Sequence, residues 1–212
     1  MRTTTAAVAT LGLAAGCWIL TIRGMNGMDM GVATELGSFA SFVGMWVPMM
    51  AAMMLPAAVP AVAAFERASP RPLAAPRFVG SYMAVWAVLG VAVYALYRRH
   101  DHTAAGALVV AAGLYELTPL KQACRRRCRE SVRSGFEFGF YCVGSSVGLM
   151  AILLALGVMS VTWMAVVAAV VVAQKLLPPR PVLDVPVALA AVVLGILVAL
   201  APSLAPGLVV ST

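Results

Sequence analysis

Eight of this chain's thirteen methionines fall between Met25 and Met54. Five of the eight sit on one apolar stretch, Met45-Trp46-Val47-Pro48-Met49-Met50-Ala51-Ala52-Met53-Met54-Leu55-Pro56. On a helix, Met45, Met49 and Met53 form one i, i+4, i+8 row, and Met50 and Met54 form a second row beside it. A thioether is soft, polarizable and never protonated, so such rows can hold Cu(I) with no adjustment of acidity. The same side chain is an adaptable filler between packed helices, and the rows taken alone fit either role. Upstream, Met25-Asn26-Gly27-Met28-Asp29-Met30, with Glu35 close behind, mixes thioethers with polar residues. That composition belongs at a water boundary. Met25, Met28 and Met30 can capture copper there, in an oxidising compartment where thiols would be lost. The plainer reading is a turn that happens to be rich in methionine.

Thiols form a second set. Cys124-Arg125-Arg126-Arg127-Cys128 has the i, i+4 spacing that puts both sulfurs on one helix face, and the flanking guanidiniums favour thiolate. Two thiolates suit linear Cu(I) and fall short of the four ligands of structural zinc. A third set is Glu116, Glu137, Cys142, Ser145, Ser146 and Met150. Cys142, Ser145 and Ser146 share a helix face that Met150 extends. Carboxylates close to lipid need partners, and Lys121 and the nearby arginines are the candidates for Glu116 and Glu137. His100-Asp101-His102 reads as a solvated turn. No nucleophile, base and acid come together in the pattern, and there is no phosphate-binding glycine loop, so the chain is not expected to be an enzyme or an ATP-driven pump.

The elements that must position these groups are membrane helices. Hydrophobic residues make up 62% of the chain and its mean hydropathy is +0.96, outside the range of ordinary soluble domains. Seven apolar runs are long enough to span, near 4–22, 38–58, 78–97, 103–119, 136–157, 159–175 and 184–203. The expected fold is all-α: a polytopic transmembrane bundle, one integral membrane domain over 1–212. The fourth run is short. The fifth is the least hydrophobic and is expected to lie among the other helices. Pro48, Pro56 and Pro60 remove backbone donors from the methionine run, which a bilayer tolerates only where protein or a wet cavity serves the freed carbonyls. A methionine-lined helix inside the bundle follows. Gly135-x-x-x-Gly139 and Gly144-x-x-x-Gly148 allow backbones to approach closely.

Charge orients the bundle. With the arginine-rich loop at 121–133 in the cytoplasm, alternate crossings place twelve of the fifteen basic residues inside and leave Arg23, Arg98 and Arg99 outside. The chain is then N-in and C-out, and the net charge of +7 reports topology and lipid headgroups, not nucleic acid. Leu13-Ala14-Ala15-Gly16-Cys17 has a faint likeness to a lipoprotein cleavage site, but Trp18-Ile19-Leu20 prolong the apolar run, so a retained first helix is expected.

Tyr115-Glu116-Leu117-Thr118-Pro119-Leu120-Lys121, followed by Cys124 and Cys128-Arg129, resembles the signature of a bacterial domain-of-unknown-function family of predicted metal-binding integral membrane proteins, sometimes labelled copper chaperones. Met49-Met50-Ala51-Ala52-Met53-Met54-Leu55-Pro56 is similar to that family's other hallmark, and Leu149-Met150, Gly157-Val158-Met159 and Trp163-Met164 to its third block. Two departures stand out. Ser145-Ser146 occupy the place of a usual Cys-Cys pair, and Gln174 precedes Lys175 where an acidic residue is common.

The resulting expectation is a copper-binding protein of the bacterial cytoplasmic membrane that captures and relays Cu(I). Met25, Met28 and Met30 collect the ion outside, Met45, Met49, Met50, Met53 and Met54 carry it, and Cys142, Cys124 and Cys128 receive it at the cytoplasmic end. Thioethers outside and thiolates inside follow the redox difference between compartments. Two rival expectations are a copper chaperone or assembly factor without transport, and a thiol oxidoreductase using Cys124, Cys128 and Cys142. The expected partners are the bilayer and a copper-delivering or copper-receiving protein; the sequence leaves homo-oligomerisation open.

Overall fold

The computed structural model describes residues 2–25, 37–69, 71, 73–96, 102–130, 133–156, 161–177 and 181–200. Within them are eight helices and no strand: α1 (Arg2–Met25), α2 (Phe39–Ala68), α3 (Ala74–Leu96), α4 (His102–Tyr115), α5 (Pro119–Glu130), α6 (Gly135–Leu156), α7 (Val161–Leu176) and α8 (Pro181–Leu200). Four of these, α1, α2, α3 and α6, are long and apolar enough to cross a membrane. Counting α4 with α5 as one bent span makes five, and α7 and α8 are shorter apolar helices. The chain divides into two compact units. One comprises Met1–Gly24, Leu36–Tyr97 and Cys124–Gly144; the other comprises Met25–Glu35, Arg98–Ala123 and Ser145–Thr212.

In the first unit α2 lies along α3. Ser38 caps α2, accepting from the Ser41 N–H, and the helix then runs thirty residues through Pro48, Pro56 and Pro60. It continues ten residues beyond the apolar run that ends near residue 58. Each proline deletes only its own donor, and Ala61 and Val62 past the last one are buried, so packing holds the helix where propensity would end it. Every residue from Met49 to Leu55 is buried, so this segment has no solvent- or lipid-facing side. Of the spanning windows, 61% is buried in both α2 and α6 and 22% in α1 and α3. The most buried spanning helices are therefore the methionine helix and the glycine-rich one; α6 is not the least hydrophobic, since its leucine-rich second half makes its span at least as apolar as those of α1, α2 and α3.

Aromatic contacts join the helices of this unit. The Trp46 indole donates to the Trp86 carbonyl at 2.9 Å and packs over Gly90. Phe65 meets Phe78, and Phe138 of α6 meets both Phe78 and Tyr82, with ring centroids 5.1–5.5 Å apart. Gly135 and Gly139 let α6 sit directly on Phe78 and Val85 of α3. On α1, Thr10 and Thr21 return their hydroxyls to the carbonyls four residues earlier, at 2.7 and 2.8 Å, which satisfies both groups without a neighbour.

In the second unit α4 and α8 pack backbone to backbone through Gly106 and Gly195. Helix α4 stops at Tyr115, earlier than the apolar run to residue 119 suggests. The Glu116 N–H is shared between the Ala112 and Gly113 carbonyls, and the chain then turns by 61°. Thr118 caps the next helix, its hydroxyl accepting from the Lys121 N–H at 3.4 Å, and Pro119 stands at the first helical position, where no donor is needed.

Candidate metal site

The thioethers of α2 are interior. Met50, Met53 and Met54 are fully buried and Met49 nearly so, while Met45 is half-buried with its methyl against Gly24 of α1. Met25, the last residue of α1, is buried, as is Met150 on α6. Met28 and Met30 lie outside the described residues, as do His100 and Asp101; His102 is exposed at the start of α4. Met164 on α7, which belongs to the third sequence block above, is fully buried.

The thiols gather along one helix pair. Helix α5 is polar, with Arg126, Arg127 and Arg129 exposed and Lys121, Arg125 and Cys128 on its buried side. Cys124 is half-buried and packs on Gly144, where an added Cβ would lie 2.7 Å from its sulfur. Cys128 is buried, its Sγ 4.0 Å from the Phe138 carbonyl. Cys124 thus meets the later position on α6 and Cys128 the earlier one, so this stretch of α5 runs antiparallel to α6. Cys142 lies between those two positions on α6, is fully buried, and turns to α3, its sulfur 3.1 Å from the Tyr82 hydroxyl. Among the described residues, none of the four cysteines is in a disulfide. The three thiols share a neighbourhood without closing on a point. Among the described residues, no three His, Cys, Asp or Glu side chains are placed to hold a metal ion.

Tyr82 was invisible to sequence reasoning, because nothing in a lone tyrosine of an apolar run marks it as a partner of a cysteine sixty residues away. Replacing it by phenylalanine keeps the ring contact with Phe138 and deletes the hydroxyl. The expected cost is about 1 kcal/mol, read from chemical unfolding in detergent against the wild type.

The Tyr115–Lys121 segment builds a different structure, a closed polar ring in the second unit. The Lys121 ammonium pairs with Glu116 Oε2 and donates to Gln174 Oε1 at 3.0 Å, while Gln174 Nε2 donates to the same Glu116 oxygen at 2.8 Å. Lys121 and Glu116 are completely buried and Gln174 is 4% exposed. Glu116 Oε1 faces Gly148 of α6, where an added Cβ would lie 3.1 Å from it. The expected pairing of Glu116 with Lys121 is present; Gln174 stood out only as a departure from the family pattern, and its place in the ring was not foreseen because it is uncharged and 53 residues from Lys121. Two further pairs belong to this unit. Lys175 donates to Ser145 Oγ at 3.1 Å, and Gln122 donates to Asp184 Oδ2 at 2.8 Å. Ser146 is buried. Glu137, half-buried in the first turn of α6, takes its place behind the Ser134 cap, its N–H donating to Ser134 Oγ at 3.1 Å.

The sequence model of the PpoB2 family, described as a copper chaperone, matches residues 43–198. The chain belongs to the PpoB2 copper chaperone family. The family match begins within α2 and ends within α8, so it takes in the buried thioether rows, the Glu116–Lys121–Gln174 ring and all three thiols of α5 and α6. It leaves out α1 and the Met25–Met30 segment, so that segment stands on chemistry alone. No curated protein matches the chain, and no solved structure does.

Proposed function

We propose that this PpoB2-family protein binds Cu(I) through thioethers and thiolates and relays it across or within the bacterial cytoplasmic membrane, acting on copper as cargo and not as an enzyme. The supporting observation is the burial of Met49, Met50, Met53 and Met54 in a helix enclosed on all sides. Leucine would fill such a space with a better-defined shape. Four thioethers within six residues add softness and adaptability that simple packing does not call for. The receiving ligands in this reading are Cys142, Cys128 and Cys124, and the capturing ones are Met25, Met28 and Met30.

The same reading takes all seven apolar helices as spans, N-in and C-out, with α5 at the cytoplasmic end. Seven apolar helices follow one another in the order of the seven apolar runs, which supports it. Helix α4 has fourteen residues and α7 sixteen. Their rise is about 21 and 24 Å, short of a core of about 30 Å, so both require local thinning or shelter behind other helices.

The family's description favours a second reading, in which the protein holds copper for a partner without moving it across the bilayer. Vesicles distinguish them. Purified protein reconstituted in liposomes loaded with a Cu(I)-responsive dye is expected to admit Cu(I) under anaerobic, reducing conditions. A Met49→Leu/Met53→Leu variant is expected to lose most of that flux. Binding with no flux in the wild type would leave the chaperone reading and end the transport one.

A further inference from the structure

A groove between α1 and α3 in the first unit has no part in the chemistry above. It encloses about 690 Å³, within the usual range of ligand pockets, and its walls include Ala6, Ala9 and Leu13 of α1 and Leu73, Pro76 and Gly80 at the start of α3. The lining is almost wholly apolar. Its few polar groups are already engaged: the Thr10 hydroxyl with the Ala6 carbonyl at 2.7 Å, and Glu66 Oε2 with the Ala75 N–H at 3.0 Å.

Two independent features mark one end of this groove. Leu73 stands at φ +68, a left-handed conformation that leucine rarely adopts, and its side chain is 65% exposed where it lines the groove. The backbone is thus strained at a point that presents an apolar side chain and buries little of it. Around the same end, Arg67 follows the lining residue Glu66, Arg77 follows Pro76, and Arg71 precedes Leu73 by two. All three arginines are exposed. Glu66 offsets one of them, which leaves an excess of two positive charges beside an apolar slot.

An apolar groove whose lining residues have exposed arginines close to them in the chain matches an amphiphile with an anionic head. We propose that the α1–α3 groove seats an acyl chain of an anionic phospholipid whose phosphate is held by Arg67, Arg71 and Arg77. Arginine forks fit phosphate oxygens in pairs, and basic side chains at a membrane surface favour anionic over zwitterionic lipid. Leu73 at the mouth then covers the start of the chain, a contact that gives its exposed side chain a partner.

Gly80 offers a direct test, because a Cβ built there meets no atom within 4 Å. Gly80→Phe therefore fills the groove without displacing protein. Wild type, Gly80→Phe and Arg67→Gln/Arg71→Gln/Arg77→Gln would be equilibrated in mixed micelles with equal phosphatidylglycerol and phosphatidylcholine, and bound lipid read by native mass spectrometry. The wild type is expected to keep one phosphatidylglycerol per chain, preferred about tenfold over phosphatidylcholine. Gly80→Phe is expected to keep neither lipid, and the triple variant to keep both without preference. Unchanged melting temperatures would show that both variants remain folded; should one unfold, the other still decides. Equal retention of the two lipids by the wild type would overturn the proposal. Phosphatidylglycerol held undiminished by Gly80→Phe would also overturn it, as would a second copy of the chain released by that variant in place of lipid.

Discussion

Replacing Lys121 by methionine is expected to cost the protein about 3–5 kcal/mol, a large share of its stability, because it leaves the Glu116 carboxylate buried without its counter-charge. Lys121 and Glu116 are both fully enclosed, and among the described residues the other donor to the carboxylate is the Gln174 amide at 2.8 Å. An amide hydrogen bond does not replace an ammonium ion in a medium of low dielectric. The double variant Glu116→Gln/Lys121→Met removes both charges and is expected to recover most of the loss, since the damage in the single variant comes from a buried charge left uncompensated. Chemical unfolding in detergent of the two singles and the double closes the cycle. A Lys121→Met protein as stable as the wild type would show that the ring is no more than a tolerated feature.

Gly106→Val is the second large effect, and it arises from shape alone. A Cβ at Gly106 would lie 2.5 Å from the Gly195 carbonyl oxygen and 2.8 Å from the Ala199 nitrogen, both backbone atoms that cannot move aside. At Gly195 a Cβ would meet the Gly106 oxygen at 2.7 Å, so the approach is reciprocal. Valine must push α4 and α8 apart, which is expected to cost about 3 kcal/mol. Gly12→Val on α1 is the control. No atom lies within 4 Å of the Cβ position there, and no comparable loss is expected. Equal melting temperatures for the two variants would contradict the close packing of α4 on α8.

The distance that each feature acts over decides how much of it the sequence revealed. The apolar runs announced themselves because a helix that crosses lipid must carry its hydrophobicity within one segment. The buried methionine rows were legible for a related reason: prolines inside an apolar run require an enclosed helix. The spacing of Gly135, Gly139, Gly144 and Gly148 predicted close approach, and in the structure each meets a neighbouring helix or the groups it carries. Gly106 and Gly195 gave no such warning, since each helix contributes one glycine and only the fold brings them together. The same holds for Tyr82 with Cys142 and for Gln174 with Glu116, which are long-range polar pairs with no periodic trace. Helix α2 outran its expected end because burial of Ala61 and Val62 outweighs the usual effect of Pro56 and Pro60.

The two departures from the family pattern acquire a physical meaning. Gln174 both accepts from Lys121 and donates to Glu116, which an ionised acid in its place could not do. A carboxylate there would set two negative charges around one ammonium, whereas glutamine keeps the ring neutral. Ser145 accepts from Lys175, a contact that a hydroxyl fills well and a thiol poorly. In the proposed relay the soft side chains are therefore those of α2, α5 and Cys142, with none at the serine pair.

Whether sulfur in α2 and in α5–α6 binds Cu(I) is decided by an anaerobic titration of purified protein against a calibrated Cu(I) chelator. Met49→Leu/Met53→Leu conserves volume and should leave the fold intact, as should Cys124→Ser/Cys128→Ser. Tight stoichiometric binding is expected of the wild type, with an apparent affinity at least about tenfold lower in each variant, a loss of about 1.4 kcal/mol in each case. Binding that fell only with the cysteines would leave the methionine rows as packing, and no binding by the folded wild type would rule out Cu(I) as its cargo.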